Sequence, residues 1–362
     1  MCHTPFTSLD DLLAPETLSR LVGCPVVSAR RLPFAGGDSA SGSSFLAIET
    51  NDGQGSRFVV KLSSPECDWI VRATGDELGR EVLVWASGLL DRLPPEIVHP
   101  VVACARNGSG WAILMRDVSD SLIPDATGTT LISRADHRRY LDSLAALHVA
   151  FWDDAAVVAP ASGYSRPANL YRATSPQTGR READHPNAVM GRLRGGWDAF
   201  WTLVAPDVAD LLRRLFDDPG PLCTALACYP RTVVHGDPRA ANLGIMRKPR
   251  SRVVLIDWHF VGVVPPGVDV AWYLCACGPQ LPVARETTIA WYRDRLANRL
   301  GSRFDEAWWR PQMELSLLGQ LMRGGWWLAM DAVHEPSAAV RAWNRAELAW
   351  WCERAREGAR WL

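Results

Sequence analysis

The rhythm of hydrophobic and polar positions changes near residue 118. Before it, apolar runs of strand length are separated by turn residues. Beyond it, apolar positions mostly recur every three or four residues. Ser8 stands as an N-cap ahead of LDDLLAPETLSRLVG, which predicts a short helix. Residues 24–62 read as extended pieces: CPVVSARRL and SFLAIET flank the small polar stretch AGGDSASGS, and NDGQG separates SFLAIET from RFVVKL. Asn-Asp-Gly is a hairpin signal, so three antiparallel strands are predicted. A helix from about residue 75 to 90 follows, then two strands at HPVVACAR and GWAILMRD around an Asn-Gly-Ser-Gly turn.

After Asp117, SDSLIPDATGTT reads as a connection. Arg134 to Trp152 then carries Leu141, Leu144, Leu147, His148 and Phe151 on one helical stripe. Residues 153–195 are rich in Pro, Gly, Ser and Arg and read as a long irregular insertion. Short extended runs return at 231–264, in TVVHGD, LGIM and RVVLIDW, and about four helices finish the chain. The pattern predicts an α+β protein: a small antiparallel-sheet lobe over residues 1–118 and a larger, mainly helical lobe over 119–362, with 153–195 as its insertion.

Composition narrows the class. The 362 residues suffice for two domains, and 48% hydrophobic with 22% charged residues argues against disorder. A net charge of −1 gives no overall field for nucleic acid or an anionic membrane. No apolar run has the length of a membrane span, and the first residues lack a basic segment followed by a hydrophobic one. The nine cysteines are scattered, and the close pair Cys275 and Cys277 lacks CxxC spacing. A cytoplasmic protein without nucleic-acid or membrane partners is expected. Of 39 basic residues only Lys61 and Lys248 are lysines. Codon bias accounts for most of the arginine excess and makes the two lysines more informative.

The chemistry concentrates in TVVHGDPRAANLGIM and RVVLIDWHF. Asp237 ends one apolar run, Asn242 follows five residues later, and Asp257 ends a second run. Acidic groups placed directly after such runs need a cation or hydrogen-bond donors if buried. One amide and one carboxylate, Asn242 and Asp257, suit Mg²⁺, which takes few protein ligands alongside phosphate oxygens. Asp237 is then left to orient an attacking hydroxyl and receive its proton. The spacing matches the loop H-x-D, Asn at the fifth position and a metal-binding Asp about twenty residues on, described for kinase-like phosphotransferases.

On these residues the chain resembles the aminoglycoside phosphotransferase family of the protein-kinase-like superfamily. HGDPRAAN carries Gly236 where protein kinases have Arg, LIDW replaces Asp-Phe-Gly, and LAALHVAFW resembles a helix early in that family's large lobe. The resemblance implies a two-lobe protein-kinase-like fold, a nucleotide (ATP or GTP) and Mg²⁺. It implies that Lys61, in the apolar strand RFVVKL, bridges nucleotide phosphates and is held by Glu81, with Glu77 as the alternative. Glu81 is placed on a helical stripe with Leu78 and Trp85. AGGDSASGS would cover the phosphates through Gly37, Ser39 and Ser41, and the strip from Met115 to Val118 would hold the purine. Arg239 falls where protein kinases place a lysine near the γ-phosphate, so it carries either transition-state charge or a salt bridge. Asp269 braces the catalytic loop, His235 holds it through hydrogen bonds, and His259 reads as a satisfied histidine.

Rival readings explain less. A metal-dependent hydrolase built on His235, Asp237, Asp257 and His259 leaves Lys61, Glu81 and Asn242 unexplained. The stretch Gly37–Gly42 misses the G-x-S-x-G elbow of serine hydrolases. An inactive kinase-shaped binding protein would be expected to have lost Lys61, Asp237 or Asp257. A protein kinase needs an Ala-Pro-Glu segment and more room after Asp257 than the stretch before Asp269 provides. The expectation is a kinase for a small-molecule hydroxyl acceptor. From His259 onward 11 acidic residues face 12 arginines, giving no acidic surplus for a polycation. A nucleoside or glycosylated antibiotic is therefore placed first, with antibiotic resistance as the consequence. An aminoglycoside comes second, and a sugar, amino alcohol or choline third. The tryptophan pairs at 308–309, 326–327 and 350–351 either pack helices or meet the acceptor. The sequence sets no oligomeric state.

Overall fold

The computed structural model describes residues 2–36, 39–53, 55–123, 130–154 and 163–362. In chain order, α1 (Leu9–Leu13) and α2 (Pro15–Val22) precede β1 (Ala29–Pro33), β2 (Ser44–Thr50) and β3 (Arg57–Ser63). Two helices, α3 (Trp69–Thr74) and α4 (Arg80–Ala86), lead to β4 (Ile97–Val98), β5 (Val101–Asn107) and β6 (Gly110–Arg116). Then come α5 (Arg134–Ala150), α6 (Pro167–Arg172), α7 (Pro176–Arg181), α8 (Ala188–Leu203), α9 (Pro206–Asp217) and α10 (Gly220–Ala227). Four short strands follow: β7 (Thr232–Val234), β8 (Leu243–Met246), β9 (Arg252–Leu255) and β10 (Gly262–Val264). The chain closes with α11 (Gly267–Ala276), α12 (Arg285–Leu300), α13 (Glu306–His334) and α14 (Ala338–Ala359). The fold is α+β and protein-kinase-like, with a sheet-based and a mainly helical compact unit. Met1–Pro124 with Ala241–His259 forms the first, and Asp125–Ala240 with Phe260–Leu362 the second. Among the described residues no helix is long and apolar enough to cross a membrane.

In the first unit an antiparallel sheet runs in the order β1-β2-β3-β6-β5. Phe58, Val60, Ala112, Ile113 and Leu114 of its central strands are buried, and α1 and α4 lie against β5. Lys61 pairs with Phe45 on one side and Ile113 on the other, so it sits in mid-sheet. A second sheet, β4-β9-β8, joins the late hairpin to this unit. The helix predicted from about residue 75 to 90 is instead broken. α3 ends at Gly75 in the left-handed conformation, and α4 begins only at Arg80. Asp76 makes the break: its carboxylate accepts from the backbone N–H of Gly79 and Arg80, a local bond that competes with the helical ladder. Leu78 consequently lies outside the helix and exposed, away from any stripe with Glu81.

The second unit centres on α13, packed against α8, α11 and α14, while α5 packs on α12. Its backbone approaches α14 closely, and a Cβ on Gly358 would lie 2.5 Å from the Glu314 carbonyl oxygen. β7 and β10 pair antiparallel beside these helices. The stretch 153–195, expected to be irregular, contains α6, α7 and the start of α8 in its described part. The residues that read as loop formers are helix starts: Pro167 and Pro176 stand in first turns, and Ser175 and Asn187 cap the helices they precede. Leu170 and Tyr171 of α6 are fully buried.

Candidate active site

The β8–β9 hairpin places two of the singled-out side chains at one end. Leu243 pairs with Leu255, and the Ile256 N–H donates to the Asn242 carbonyl at 3.2 Å, so Asn242 and Asp257 lie at the same open end. Asp257 has φ +69°, a left-handed conformation that costs energy outside glycine and turns its carboxylate out of the strand direction. Lys61 Nζ donates to Glu81 Oε2 and to Asp257 Oδ1, both at 2.6 Å. His259 Nδ1 lies 2.5 Å from the same Asp257 Oδ1. The buried Arg80 guanidinium donates to the His259 carbonyl at 3.0 Å and to Thr74, tying this segment to the start of α4. Glu77 is exposed, so Lys61 reaches the glutamate one turn further along the chain.

Charge within this cluster is close to balanced. Burial alone would lower the pKa of Lys61, but Asp257, then Glu81 and Asp68, outweigh it and raise the pKa above the usual lysine value. Burial raises Asp257 too, yet His259 and Lys61 together hold it well below the usual carboxylate range. At Glu81 burial, aided by the nearby charge of Asp257, outweighs Lys61 and raises the pKa above the usual carboxylate value. His259 is raised: Asp257 overcomes the effect of its burial. Glu81, Asp257 and His259 have ligand atoms within 4.8 Å of one another. A small recess beside the cluster is lined by Lys61, Asp68, Asp76, Glu81, Trp111 and His259, among others.

In the second unit, β7 delivers the turn His235-Gly236-Asp237. Gly236 has φ +83°, and a Cβ there would lie 2.3 Å from the Phe260 carbonyl oxygen, so only glycine fits. Asp269, in the first turn of α11, accepts from the N–H of His235 and of Gly236, both at 2.8 Å. His148 of α5 presents Nε2 to Asp269 at 3.1 Å, and its Nδ1 lies 2.5 Å from the Tyr292 hydroxyl. Burial pushes Asp269 upward, but the bond from His148 and the charges of His148 and His235 hold it below its usual value. The N–H of Asp237 donates to His235 Nδ1 at 3.3 Å. Arg239 Nε pairs with Asp237 Oδ2 at 3.2 Å, and its side chain is 41% exposed while that of Asp237 is almost wholly buried.

The remaining sequence candidates fall as follows. Gly37 lies outside the described residues. Ser39 and Ser41 join hydroxyls at 2.8 Å, and Ser41 also donates to Asp68 at 2.7 Å. Asp68 in addition accepts from Ser43 and caps α3, so the Ser41 hydroxyl is held inside the loop. Met115 lies on β6 opposite Val59, and Val118 begins the short turn of helix at Ser119–Ser121. Each tryptophan pair divides in the same way. Trp309, Trp326 and Trp351 are buried, while their neighbours are half-buried against Trp152 and Phe304 (Trp308), against Trp272 (Trp327) or under Arg285 (Trp350). Sequence reasoning missed the part His259 plays. Its place two residues after Asp257 was the available signal.

A family model described as "Phosphotransferase enzyme family" matches residues 38–311 of this chain. Among curated proteins none matches it. Among solved structures, an ethanolamine kinase of Plasmodium vivax is similar with a TM-score of 0.51 and 12% identity, over 90% of this chain and 83% of that one. The choline kinase LicA of Streptococcus pneumoniae gives 0.48 and 15%, covering 95% and 98%. The GDP complex of aminoglycoside 2'-phosphotransferase-IIIa gives 0.48 and 15%, covering 93% and 96%.

Proposed function

Because this chain belongs to the phosphotransferase enzyme family and is a small-molecule O-phosphotransferase, we propose that it moves the terminal phosphoryl group of ATP or GTP onto one hydroxyl of an antibiotic or secondary metabolite. The observation that carries the reading is the buried Lys61, with its ammonium 2.6 Å from both Glu81 and Asp257. A lysine in mid-sheet held between two carboxylates is preorganised to meet anionic phosphates. Glu81 fixes its rotamer, and a compact ammonium suits a bridging position between phosphate oxygens better than a forked guanidinium.

The roles follow from the side chains. Asp237 accepts a hydrogen bond from the acceptor hydroxyl, aligns its oxygen on the γ-phosphorus and takes its proton as the new O–P bond forms. The bridging P–O bond breaks and the nucleoside diphosphate leaves. Arg239 supplies positive charge beside Asp237. Asn242 and Asp257, an amide and a carboxylate at one hairpin end, fit Mg²⁺ as hard oxygen donors. The ion, when bound, would neutralise phosphate charge. Ser39 covers the phosphates, and the strip from Met115 to Val118 meets the purine.

For the acceptor, the even balance of acidic and basic residues after His259 favours a nucleoside or glycosylated antibiotic over a polycationic aminoglycoside. The test is mass spectrometry of nucleoside antibiotics, macrolides, aminoglycosides, sugars, amino alcohols and choline incubated with ATP or GTP and Mg²⁺. A gain of one phosphate on a nucleoside or glycosylated antibiotic is expected. Phosphorylation confined to choline, an amino alcohol or a sugar would replace this acceptor with a primary metabolite and leave the chemistry standing.

A further inference from the structure

Arg323 of α13 is 2% exposed, yet among the described residues no carboxylate lies within ion-pair distance of it. A buried cation without such a partner is costly, so its placement needs a reason. Its Nη2 donates to the carbonyl of Gly236 at 2.7 Å. The guanidinium lies 3.8 Å from the ring centre of Trp272 and 5.4 Å from that of Phe260. Its Nη1 is buried without a hydrogen-bond partner. Burial pulls its pKa down to about 10, which leaves it charged, and Asp237 is the largest of the charges opposing that pull.

The peptide that receives this bond is the one that carries Asp237. Its carbonyl end is held by Arg323, and its N–H end donates to His235 Nδ1. The preceding peptide is gripped from the other side, where Asp269 accepts from Gly236 N–H. Gly236 sits in a left-handed conformation that would otherwise be free to flip. The general excess of arginine makes the residue type uninformative. Its burial, its stacking and its single backbone acceptor are what distinguish it.

We propose that Arg323 is a positioning residue for phosphoryl transfer: a fixed guanidinium locks the Gly236–Asp237 peptide and so sets the direction of the Asp237 carboxylate. The proposal rests on the reading of Asp237 given above. A rigid, flat group lying 3.8 Å over the Trp272 ring holds a carbonyl in one place in a way that a flexible ammonium does not.

The test compares Arg323→Met, Arg323→Gln and Arg323→Lys with the unchanged protein, using whichever acceptor the panel identifies. Turnover, the KM for both substrates, nucleotide affinity and thermal unfolding are read for each. Loss of alignment by about an ångström is expected to lower kcat by about 10²-fold, with nucleotide affinity within twofold. Arg323→Lys, which keeps a donor and the charge but not the flat, rigid fork, recovers only a small part of that loss, and Arg323→Gln recovers less. If Arg323→Met does not fold, the Lys and Gln variants carry the comparison. A kcat within twofold of the unchanged protein in a folded Gln variant overturns the proposal. So does a kcat loss that merely follows thermal stability across the series. Asp237→Asn is measured alongside: full turnover in that variant would remove the underlying reading of Asp237, whereas its loss beside an indifferent Arg323 series would remove only the proposal about Arg323.

Discussion

Removing the Asp269 carboxylate, as in Asp269→Ala, should damage the second unit more than any single surface change. Three donors converge on it: the N–H groups of His235 and Gly236 and the imidazole Nε2 of His148. All three residues they belong to are buried, so in the variant none recovers a partner from bulk water. Each orphaned donor costs about 1–3 kcal/mol, and the carboxylate's own desolvation cost, recovered on mutation, offsets part of the sum. The net expectation is a loss of about 3–5 kcal/mol, a large share of a typical folding free energy. Asp269→Asn keeps one acceptor oxygen but turns an NH₂ toward a donor, so it should fall between the two. Tryptophan fluorescence in urea follows the change, because most tryptophans lie in this unit. The folded pKa of Asp269 is depressed below 3.8. The stabilisation is therefore present above that value and lost as pH falls through the folded pKa. The difference between Asp269→Ala and the unchanged protein should be flat from about pH 5 to 8 and shrink below 3.8. A difference below about 1 kcal/mol at neutral pH, or one that grows on acidification, would refute this reasoning.

Lys61→Met should leave Glu81 and Asp257 facing each other without their shared cation. Nucleotide binding should weaken sharply in calorimetry, and stability should fall by about 3 kcal/mol in urea. Gly236→Ala forces a side chain into a left-handed position against the Phe260 carbonyl, and a loss of at least about 2 kcal/mol in the unfolding midpoint analysis is expected. Trp351→Ala, at a fully buried site, should cost about 3–5 kcal/mol, whereas Trp350→Ala next to it should cost clearly less; thermal unfolding of the pair checks the division of work between neighbours.

The features that could be read in advance are those written in local pattern. Strand-length apolar runs with turn residues between them lie where β2, β3, β5 and β6 form. Asp237 and Asp257 stand out because a carboxylate directly after such a run is conspicuous, and Lys61 stands out because lysine is so rare in this chain. What escaped depends on which partner each side chain finds, near or far, and residue type alone does not name it. Nothing local to Ser41 says that Asp68 will take its hydroxyl. The break at Asp76 depends on a side chain outbidding the helical ladder, and helix-compatible spacing around it hides that competition. The helices in 163–195 were masked because proline and serine start helices as readily as they end them. Arg323 was hidden for the opposite reason, since one arginine among so many carries no signal until its burial is seen.

The most direct test of the account is single-turnover phosphoryl transfer by Asp237→Asn. The carboxamide keeps the shape of the side chain and removes its ability to take a proton. The prediction is that the variant folds, binds Mg²⁺-nucleotide as the unchanged protein does, and transfers phosphate to the acceptor about 10²–10⁴ times more slowly, the usual range for loss of a general base. Transfer at the unchanged rate would contradict the assignment of Asp237 and with it the mechanism proposed here.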